Sequence, residues 1–217
     1  MTHEFCVSDS VLSHSFKLKY ALRKSRFNEF LIKHNGLDKS GFLEWVFYPG
    51  MLFNDQNKWW GSGGIRQRPH EGLDLCFYRD KAGQNHCLSE KTGIPVLYDG
   101  EIVSIHDDFL GKSLFVSHDI FDDHGNRLHT IYGHTNPYRG VKAGRVFREG
   151  EIIAAIADAK RKNVQIASHL HISVAWLPSS FPYEKLDWKA MNNDRVVTLY
   201  DPLYFIGSKY NAQRIVL

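Results

Sequence analysis

The spacing of apolar residues changes along this chain of 217 residues, and it separates a helical segment from a run of short strands. Between residues 16 and 34 the apolar positions recur as they do on one face of a helix; they are Phe16, Tyr20, Ala21, Leu22, Phe27, Phe30 and Leu31. Ser13 or Ser15 can cap the start of this helix, and Asn35 with Gly36 can end it. The pattern predicts an amphipathic helix with a solvated lysine and arginine face.

Residues 42–64 form an aromatic-rich connector with turn signals at Pro49-Gly50 and at the run Gly-Ser-Gly-Gly. Beyond it, short apolar runs alternate with Gly, Asp and Asn clusters, which is typical of strands joined by turns; the runs are LDLCFY, PVLYDGEIVSIHDD, KSLFVSHDIF, LHTIYGH, EIIAAIADA, SHLHISVAW and VVTLY. The sequence therefore predicts a mainly β fold (α+β overall) built on an antiparallel β-sheet. We divide it into an N-terminal helical segment with its connector, residues 1–60, and a β domain, residues 61–217.

Composition and charge exclude some classes of protein. The net charge is only +3 with the histidines neutral, which does not indicate a nucleic acid partner. No apolar run approaches the roughly 20 residues that span a bilayer, so we expect no transmembrane segment. The N-terminus lacks an apolar core behind a basic start, so we expect no secretory signal. A cytoplasmic location and export by another route both stay open.

The three cysteines, Cys6, Cys76 and Cys87, have neither a CxxC nor a zinc-ribbon spacing. This spacing argues against a thiolate metal site and against a disulfide framework. We expect buried or idle thiols, with a Cys76–Cys87 bridge across the intervening turn as the alternative.

Twelve histidines supply the candidate chemistry, and two of them lie one residue apart in SHLHISV. Successive strand side chains alternate faces, so His169 and His171 leave the same face. In RPHEGLDL, Gly72 lets the loop that carries His70 fold back on Asp74 at the opening of a strand. Two imidazoles and one carboxylate suit a catalytic zinc, which keeps a fourth position open. Each motif alone is more often structural, and the chain has no HExxH motif.

From Arg66 to Phe205 the chain resembles the lysostaphin-like, LytM-type zinc endopeptidases that cut peptidoglycan cross-links. The motifs that carry the resemblance follow the family's order: RQRPHEGLDL, TGIPVLYDGEIVSI, KSLFVSH, IYGHT, VFREGEIIAAIA, SHLHISV and YDPLYFI. Two features depart from the family. Thr135 replaces the leucine that usually follows the catalytic histidine, and residues 176–197 form an excursion longer than the family needs. Because the excursion can reshape the substrate groove, cleavage specificity is not carried over.

The resemblance implies a LytM-type metallopeptidase domain and a role for each landmark residue. The implied ligands of one zinc ion (Zn2+) per chain are His70, Asp74 and His171. His134 and His169 would be the catalytic histidines that do not bind the metal. Tyr132, two residues before His134 and so expected on the same strand face, is a candidate for a further hydrogen bond to the reacting groups.

We therefore expect a zinc-dependent endopeptidase that hydrolyses peptide bonds in peptidoglycan stem peptides or cross-bridges. One alternative is a non-catalytic LytM-type module that binds the wall or activates a separate hydrolase; such modules usually lack a metal ligand. Another is a zinc hydrolase of the same fold that acts on another peptide substrate. The peptidoglycan substrate implies a location in the cell envelope or outside the cell.

Two expectations concern residues outside this set. His118 receives no role, and the histidines in or beside polar turns are expected to be exposed; these are His86, His106, His124 and His129. The N-terminal segment is expected to pack on the β domain. It either restricts the groove, with Asn54 or Asn57 reaching the open zinc position as in latent members of the family, or merely completes the core.

Overall fold

Short strands dominate the structure, a computed structural model in which residues 22–162 and 165–213 are described. In chain order the strands are β1 (Phe42–Phe47), β2 (Leu73–Leu75), β3 (Phe77–Asp80), β4 (Asn85–Cys87), β5 (Gly93–Pro95), β6 (Gly100–Asp107), β7 (Lys112–Phe121), β8 (Asn126–Pro137), β9 (Val146–Phe147), β10 (Ile152–Ile156), β11 (Leu170–Pro178), β12 (Thr198–Tyr200) and β13 (Tyr210–Ala212). The helices are α1 (Phe27–His34), α2 (Trp188–Met191) and α3 (Pro202–Ile206), with 3-10 turns at Ala159–Lys162 and Tyr183–Lys185. The predicted mainly β fold is confirmed.

The strands form two sheets. The larger sheet has the order β12-β11-β8-β7-β6-β9, with β2 paired to β11 and with β10 paired to both β5 and β8. All of these pairs are antiparallel, as predicted. The smaller sheet has the order β13-β1-β3-β4, and here β13 runs parallel to β1. The bounds of β7 coincide with the predicted run KSLFVSHDIF.

Helix α1 begins later than the sequence predicts. Residues 16–21 of the predicted helix lie outside the described residues, and residues 22–25 are not helical. The helix begins only at Phe27. Tertiary contacts compete with the helix before this point, since the Ser25 amide donates to the Phe205 carbonyl at 2.8 Å. A backbone amide bonded to another element is not free to continue a helical ladder.

The predicted end of the helix agrees with the structure. Asn35 caps α1, and Gly36 follows with a φ of 65°. The Asn35 side chain also ties the helix to β5, because its Oδ1 accepts from the Gly93 amide at 2.6 Å. Among the described residues, no helix is both long enough and apolar enough to cross a membrane.

The connector before residue 61 is part of the smaller sheet. Strand β1 lies between β13 and β3, and its residues Trp45, Val46 and Phe47 are buried. The predicted segment 1–60 therefore shares a sheet with the predicted domain 61–217, and the boundary between them stays a prediction.

The larger sheet carries apolar side chains on both faces. The first face belongs to the main core, which includes Leu114, Tyr132, Leu170 and Ile172. The second face packs against the excursion at residues 176–197, in a cluster of Phe115, Ile131, Ala175, Leu177, Leu186, Met191 and Val197. Because strand side chains alternate, His171 shares the second face with Ala175. The excursion thus covers the sheet beside the histidines.

Candidate metal centre

Three buried side chains each bring one donor atom to a common point on the second face. The separations are 3.2 Å between His70 Nε2 and Asp74 Oδ1, 2.9 Å between Asp74 Oδ1 and His171 Nδ1, and 3.1 Å between the two imidazole nitrogens. A tetrahedral zinc ion with bonds of about 2.0–2.1 Å places its ligand atoms ~3.3 Å apart. The three predicted ligands therefore form a triangle of nearly the size that zinc needs.

The hydrogen bonds on the outer side of the rings leave lone pairs facing one another. His70 Nδ1 donates to the Leu52 carbonyl at 3.0 Å, so the neutral ring carries its lone pair on Nε2. His171 Nε2 lies 2.9 Å from the Ser173 hydroxyl, which can accept its proton in the same way. Two imidazole lone pairs and a carboxylate, all buried, repel one another unless a cation or shared protons lie between them. The donor set therefore fits a zinc ion.

Local backbone geometry brings the three candidate ligands together. His70 lies in the loop before β2, and His171 is paired directly with Asp74 across the β2–β11 ladder. Gly72 permits this approach, since a Cβ there would lie 2.4 Å from the Ile172 carbonyl oxygen and 2.7 Å from His171 Nε2. The predicted tight turn through Gly72 is confirmed, although the glycine is needed for space and not for a positive φ.

Two side chains from before residue 70 hold the Asp74 carboxylate. Trp59 Nε1 donates to Asp74 Oδ2 at 2.7 Å, and Arg66 Nη2 lies 3.7 Å from the same oxygen. These contacts leave Oδ1 for the histidines. Burial alone would raise the pKa of Asp74, but the charges and hydrogen bonds of the surrounding imidazoles lower that pKa well below its usual value.

Two further histidines border the triangle without being part of it. His169 precedes β11, and its Nε2 lies 3.7 Å from Asp74 Oδ1 while its Nδ1 donates to the Ala167 carbonyl at 2.8 Å. His134 packs edge to face on His169, with ring centroids 4.8 Å apart, and its centroid lies 5.9 Å from that of His171. Burial lowers the pKa of His169 to about 4. The structure thus brings all five predicted side chains together, and their roles stay predictions.

Tyr132 lies on the opposite face of β8 from His134, against the expected alternation. Its ring is fully buried in the main core, and its hydroxyl accepts from the Leu97 amide at 2.7 Å. The cause is a bulge, in which Gly133 and His134 together oppose a single residue of β7. Residues two apart do not share a face across a bulge. The geometry therefore does not support the hydrogen bond predicted for Tyr132 at the site.

Asp108, in the turn between β6 and β7, holds His134 and was not identified from the sequence. Its nearly buried carboxylate accepts from the His134 amide at 2.7 Å and from the ring Nδ1 at 3.2 Å. These bonds hold His134 at a φ of 60°, a conformation that costs a non-glycine residue roughly 1–3 kcal/mol. Burial alone would raise the pKa of Asp108, but hydrogen bonds from His134 and Ser113 keep it below its usual value. In the sequence, Asp108 stands out only as part of the pair Asp107-Asp108. Such a pair is also common in ordinary turns, so it does not indicate a contact with His134.

Tryptophans from two segments contact the site histidines. Trp188, the first residue of α2, packs edge to face on His171 with ring centroids 5.4 Å apart. Its indole N–H donates to the Ser113 hydroxyl at 2.8 Å. Trp59 of the connector packs edge to face on His169 at 4.9 Å. The excursion and the connector therefore both form part of the wall of the site.

The connector also borders a cleft of about 400 Å³ beside Trp59. The cleft is lined by Tyr48, Trp59, Trp60, Gly61, Phe77, Gln165, Ile166 and Ala167. The surroundings of the two asparagines proposed as an additional ligand do not support that role. Asn54 is exposed, and the side-chain amide of Asn57 donates to Asp55 at 2.8 Å. Occlusion of the groove by the N-terminal segment stays a prediction.

Two other histidines are buried away from the triangle. His118 lies between the Asp99 carbonyl at 3.0 Å and the Thr130 hydroxyl at 2.8 Å. His129 was expected to be exposed, but it is buried because β8 begins before it and Tyr183 of the excursion packs on its ring at 5.8 Å. Burial lowers the pKa of both histidines to about 4.

The cysteines form no disulfide in the described part of the chain. Cys76 is a buried free thiol and Cys87 is an exposed one. Desolvation by the surrounding protein raises the pKa of the buried Cys76 thiol and also that of the partly covered Cys87 thiol, which makes both less reactive. The expected idle thiols agree with this arrangement, and Cys6 lies outside the described residues.

The chain was compared with protein families, curated proteins and solved structures. No protein-family model matches the chain, and no curated protein matches it either. Among solved structures, the chain is similar to the NMR solution structure of lysostaphin, with 20% sequence identity and a TM-score of 0.42. The similarity covers 79% of this chain and 57% of the lysostaphin chain, so this chain spans little more than half of that protein.

Proposed function

We propose that this chain is a zinc-dependent endopeptidase of the LytM type that hydrolyses peptide bonds in peptidoglycan stem peptides or cross-bridges. One observation carries the proposal. Two imidazole nitrogens and a carboxylate oxygen converge to within 3.2 Å of one another, and two more histidines lie directly against this triangle. A three-ligand set leaves a position open for water or substrate, which a closed structural site does not. The motifs from RQRPHEGLDL to SHLHISV support the choice of peptidoglycan as substrate.

The residues suit peptide hydrolysis. A zinc ion held by His70, Asp74 and His171 would polarise the peptide carbonyl and make water more acidic. Since the chain has no HExxH glutamate, His134 and His169 are the groups available to take a proton from the attacking water and to stabilise the oxyanion. The same proton passes to the leaving amine. The reaction therefore consumes one water and leaves both rings in their starting state.

Digestion of purified peptidoglycan with the zinc-loaded chain tests the proposal. We expect peptide fragments by mass spectrometry and no fragments after a chelator has removed the zinc. His134→Ala and His169→Ala should each keep the metal and slow hydrolysis ~100-fold or more, because proton transfer and oxyanion stabilisation are each worth about that much. His124→Ala, at an exposed turn, is the matched control and should leave both zinc content and rate unchanged.

The same experiment separates the alternatives. A chain that sediments with peptidoglycan but releases no fragment from it is a wall-binding module, and the proposed activity is then wrong. A chain that cleaves a library of unrelated peptides and leaves peptidoglycan intact is a zinc hydrolase with another substrate.

A further inference from the structure

The carboxylate of Asp108 accepts five hydrogen bonds from the described residues. Oδ1 accepts from the amides of Leu110 at 2.9 Å and Gly111 at 2.7 Å. Oδ2 accepts from the Ser113 hydroxyl at 2.7 Å. The other two bonds come from His134, whose amide donates to Oδ2 at 2.7 Å and whose Nδ1 donates to Oδ1 at 3.2 Å. The turn and Ser113 fix the carboxylate, and the carboxylate in turn fixes both the backbone and the ring of His134.

The contact with the ring decides which nitrogen of His134 carries the proton. An ionised carboxylate only accepts hydrogen bonds, so Nδ1 is protonated and the lone pair of the neutral ring is on Nε2. The His134 side chain is 20% exposed, against 2% for His169 and 7% for His171. The ring that Asp108 orients is therefore the one of these three that water and substrate reach most easily.

We propose that Asp108 is the positioning residue for His134, holding Nδ1–H so that Nε2 takes the proton of the attacking water. The inference rests on the proposed function. When Nε2 accepts the proton, the ring becomes a cation and the adjacent carboxylate balances its charge, as in other histidine–carboxylate pairs. The ring returns to neutral when Nε2 gives this proton to the leaving amine. His169, whose Nδ1 donates to the neutral Ala167 carbonyl, has no equivalent partner on that nitrogen.

NMR of the zinc-loaded chain labelled with 15N-histidine tests the contact without any variant of Asp108. The two ring nitrogens of a neutral histidine give different 15N shifts according to which one carries the proton, and His134→Gln assigns the signals. We expect Nδ1 of His134 to be protonated and Nε2 to be bare at pH 7. The opposite tautomer overturns the inference, and this result does not depend on whether an Asp108 variant folds.

Kinetics of Asp108→Asn test the consequence. Asparagine keeps the shape of the side chain but removes its charge, and its amide group cannot accept from every donor that the carboxylate holds. We expect kcat to fall about 10- to 100-fold with KM unchanged within about twofold and with zinc retained. Asp107→Asn is the matched control, because Asp107 is the neighbouring carboxylate, has an 86% exposed side chain and pairs with Lys112. It should leave kcat unchanged.

The outcomes separate this inference from the proposed function. An active chain whose kcat is the same in Asp108→Asn and Asp107→Asn overturns the role of Asp108 and leaves the endopeptidase proposal standing. If the zinc-loaded chain shows the expected tautomer but cleaves no peptide, the endopeptidase proposal is wrong. The positioning role of Asp108 in that reaction is then wrong as well.

Discussion

The larger sheet buries histidines in two ways, as members of the candidate metal centre and as residues of its packed interior. Burial does not distinguish them, since His118 and His129 are as buried as the candidate ligands His70 and His171. Their hydrogen bonds do. The His118 ring is hydrogen-bonded to a carbonyl and a hydroxyl. His129 Nδ1 donates to the Arg127 carbonyl, and His129 Nε2 has no partner among the described residues.

In the candidate metal centre, one nitrogen of His70, His169 and His171 is hydrogen-bonded to a neutral group, and the other faces the Asp74 carboxylate. Asp74 Oδ1 lies 2.9 Å from His171, 3.2 Å from His70 and 3.7 Å from His169. The histidines of the site therefore differ from those of the packed interior because they converge on a buried carboxylate. Neither burial nor the number of histidines makes this difference.

Removing a ligand should have the largest effect. His171→Ala leaves two protein ligands, too few to hold the ion well, so zinc should fall from about one ion per chain to a small fraction after dialysis. His70→Ala and Asp74→Ala should behave in the same way. His118→Gln, which changes a buried histidine of the packed interior, should keep its zinc. Elemental analysis measures the metal content of each variant.

Two outcomes would contradict this assignment. If His171→Ala and His118→Gln had equal zinc content, the histidines of the candidate metal centre would not differ in metal binding from those of the packed interior. Loss of zinc from His169→Ala with retention by His171→Ala would exchange the roles of the two histidines in SHLHISV.

A smaller effect should follow from a change beside the ligands. Trp59→Phe keeps an aromatic ring against His169 and removes the indole N–H that donates to Asp74 Oδ2. Loss of such a supporting hydrogen bond typically lowers metal affinity about 10- to 100-fold. Trp60→Phe, at the next residue, is the matched control and should change affinity little. Competition with a chelator measures both affinities, and equal values would show that the carboxylate needs no support from Trp59.

The family resemblance named the candidate ligands His70, Asp74 and His171, and two short-range rules account for part of their arrangement. A two-residue period puts His169 and His171 on one face, and Gly72 brings His70 back to Asp74 within five residues of chain. The residues that orient them follow no such rule. Trp59 and Trp188 reach the site from a connector and an excursion whose paths depend on tertiary packing.

Two errors have the same origin. Tyr132 was assigned to the face of His134 by strict alternation, and a bulge that depends on the pairing with β7 reverses its direction. The helix was extended back through Leu22 by its apolar spacing, but the Ser25 amide is bonded to Phe205, far away in the chain. Local patterns predicted most of the strands and the candidate ligands His70, Asp74 and His171, which the structure brings together. Non-local hydrogen bonds decide where helix α1 begins and which residues contact the candidate site.

The smallest expected effect concerns the stability of the packed interior. The pKa of His129 is lowered by burial from 6.5 to about 4, so the folded chain keeps the ring neutral while the unfolded chain protonates it below pH 6.5. The unfolded state therefore binds more protons between these values, and the free energy of unfolding falls as the pH drops from 6.5 toward 4. Above pH 6.5 the ring is neutral in both states and has no such effect.

His129→Phe removes this titration and keeps an aromatic ring against Tyr183. Between pH 7 and pH 5.5, the wild type should lose about 1 kcal/mol more of its free energy of unfolding than the variant, by the linkage of one buried histidine. Urea denaturation of both zinc-free proteins at the two pH values measures this difference, and contributions from the site histidines cancel because both proteins share them. An equal loss in the two proteins would mean that His129 is already charged in the folded state. In that case burial in this sheet, at a ring nitrogen without a second hydrogen-bond partner, would not keep the His129 ring neutral.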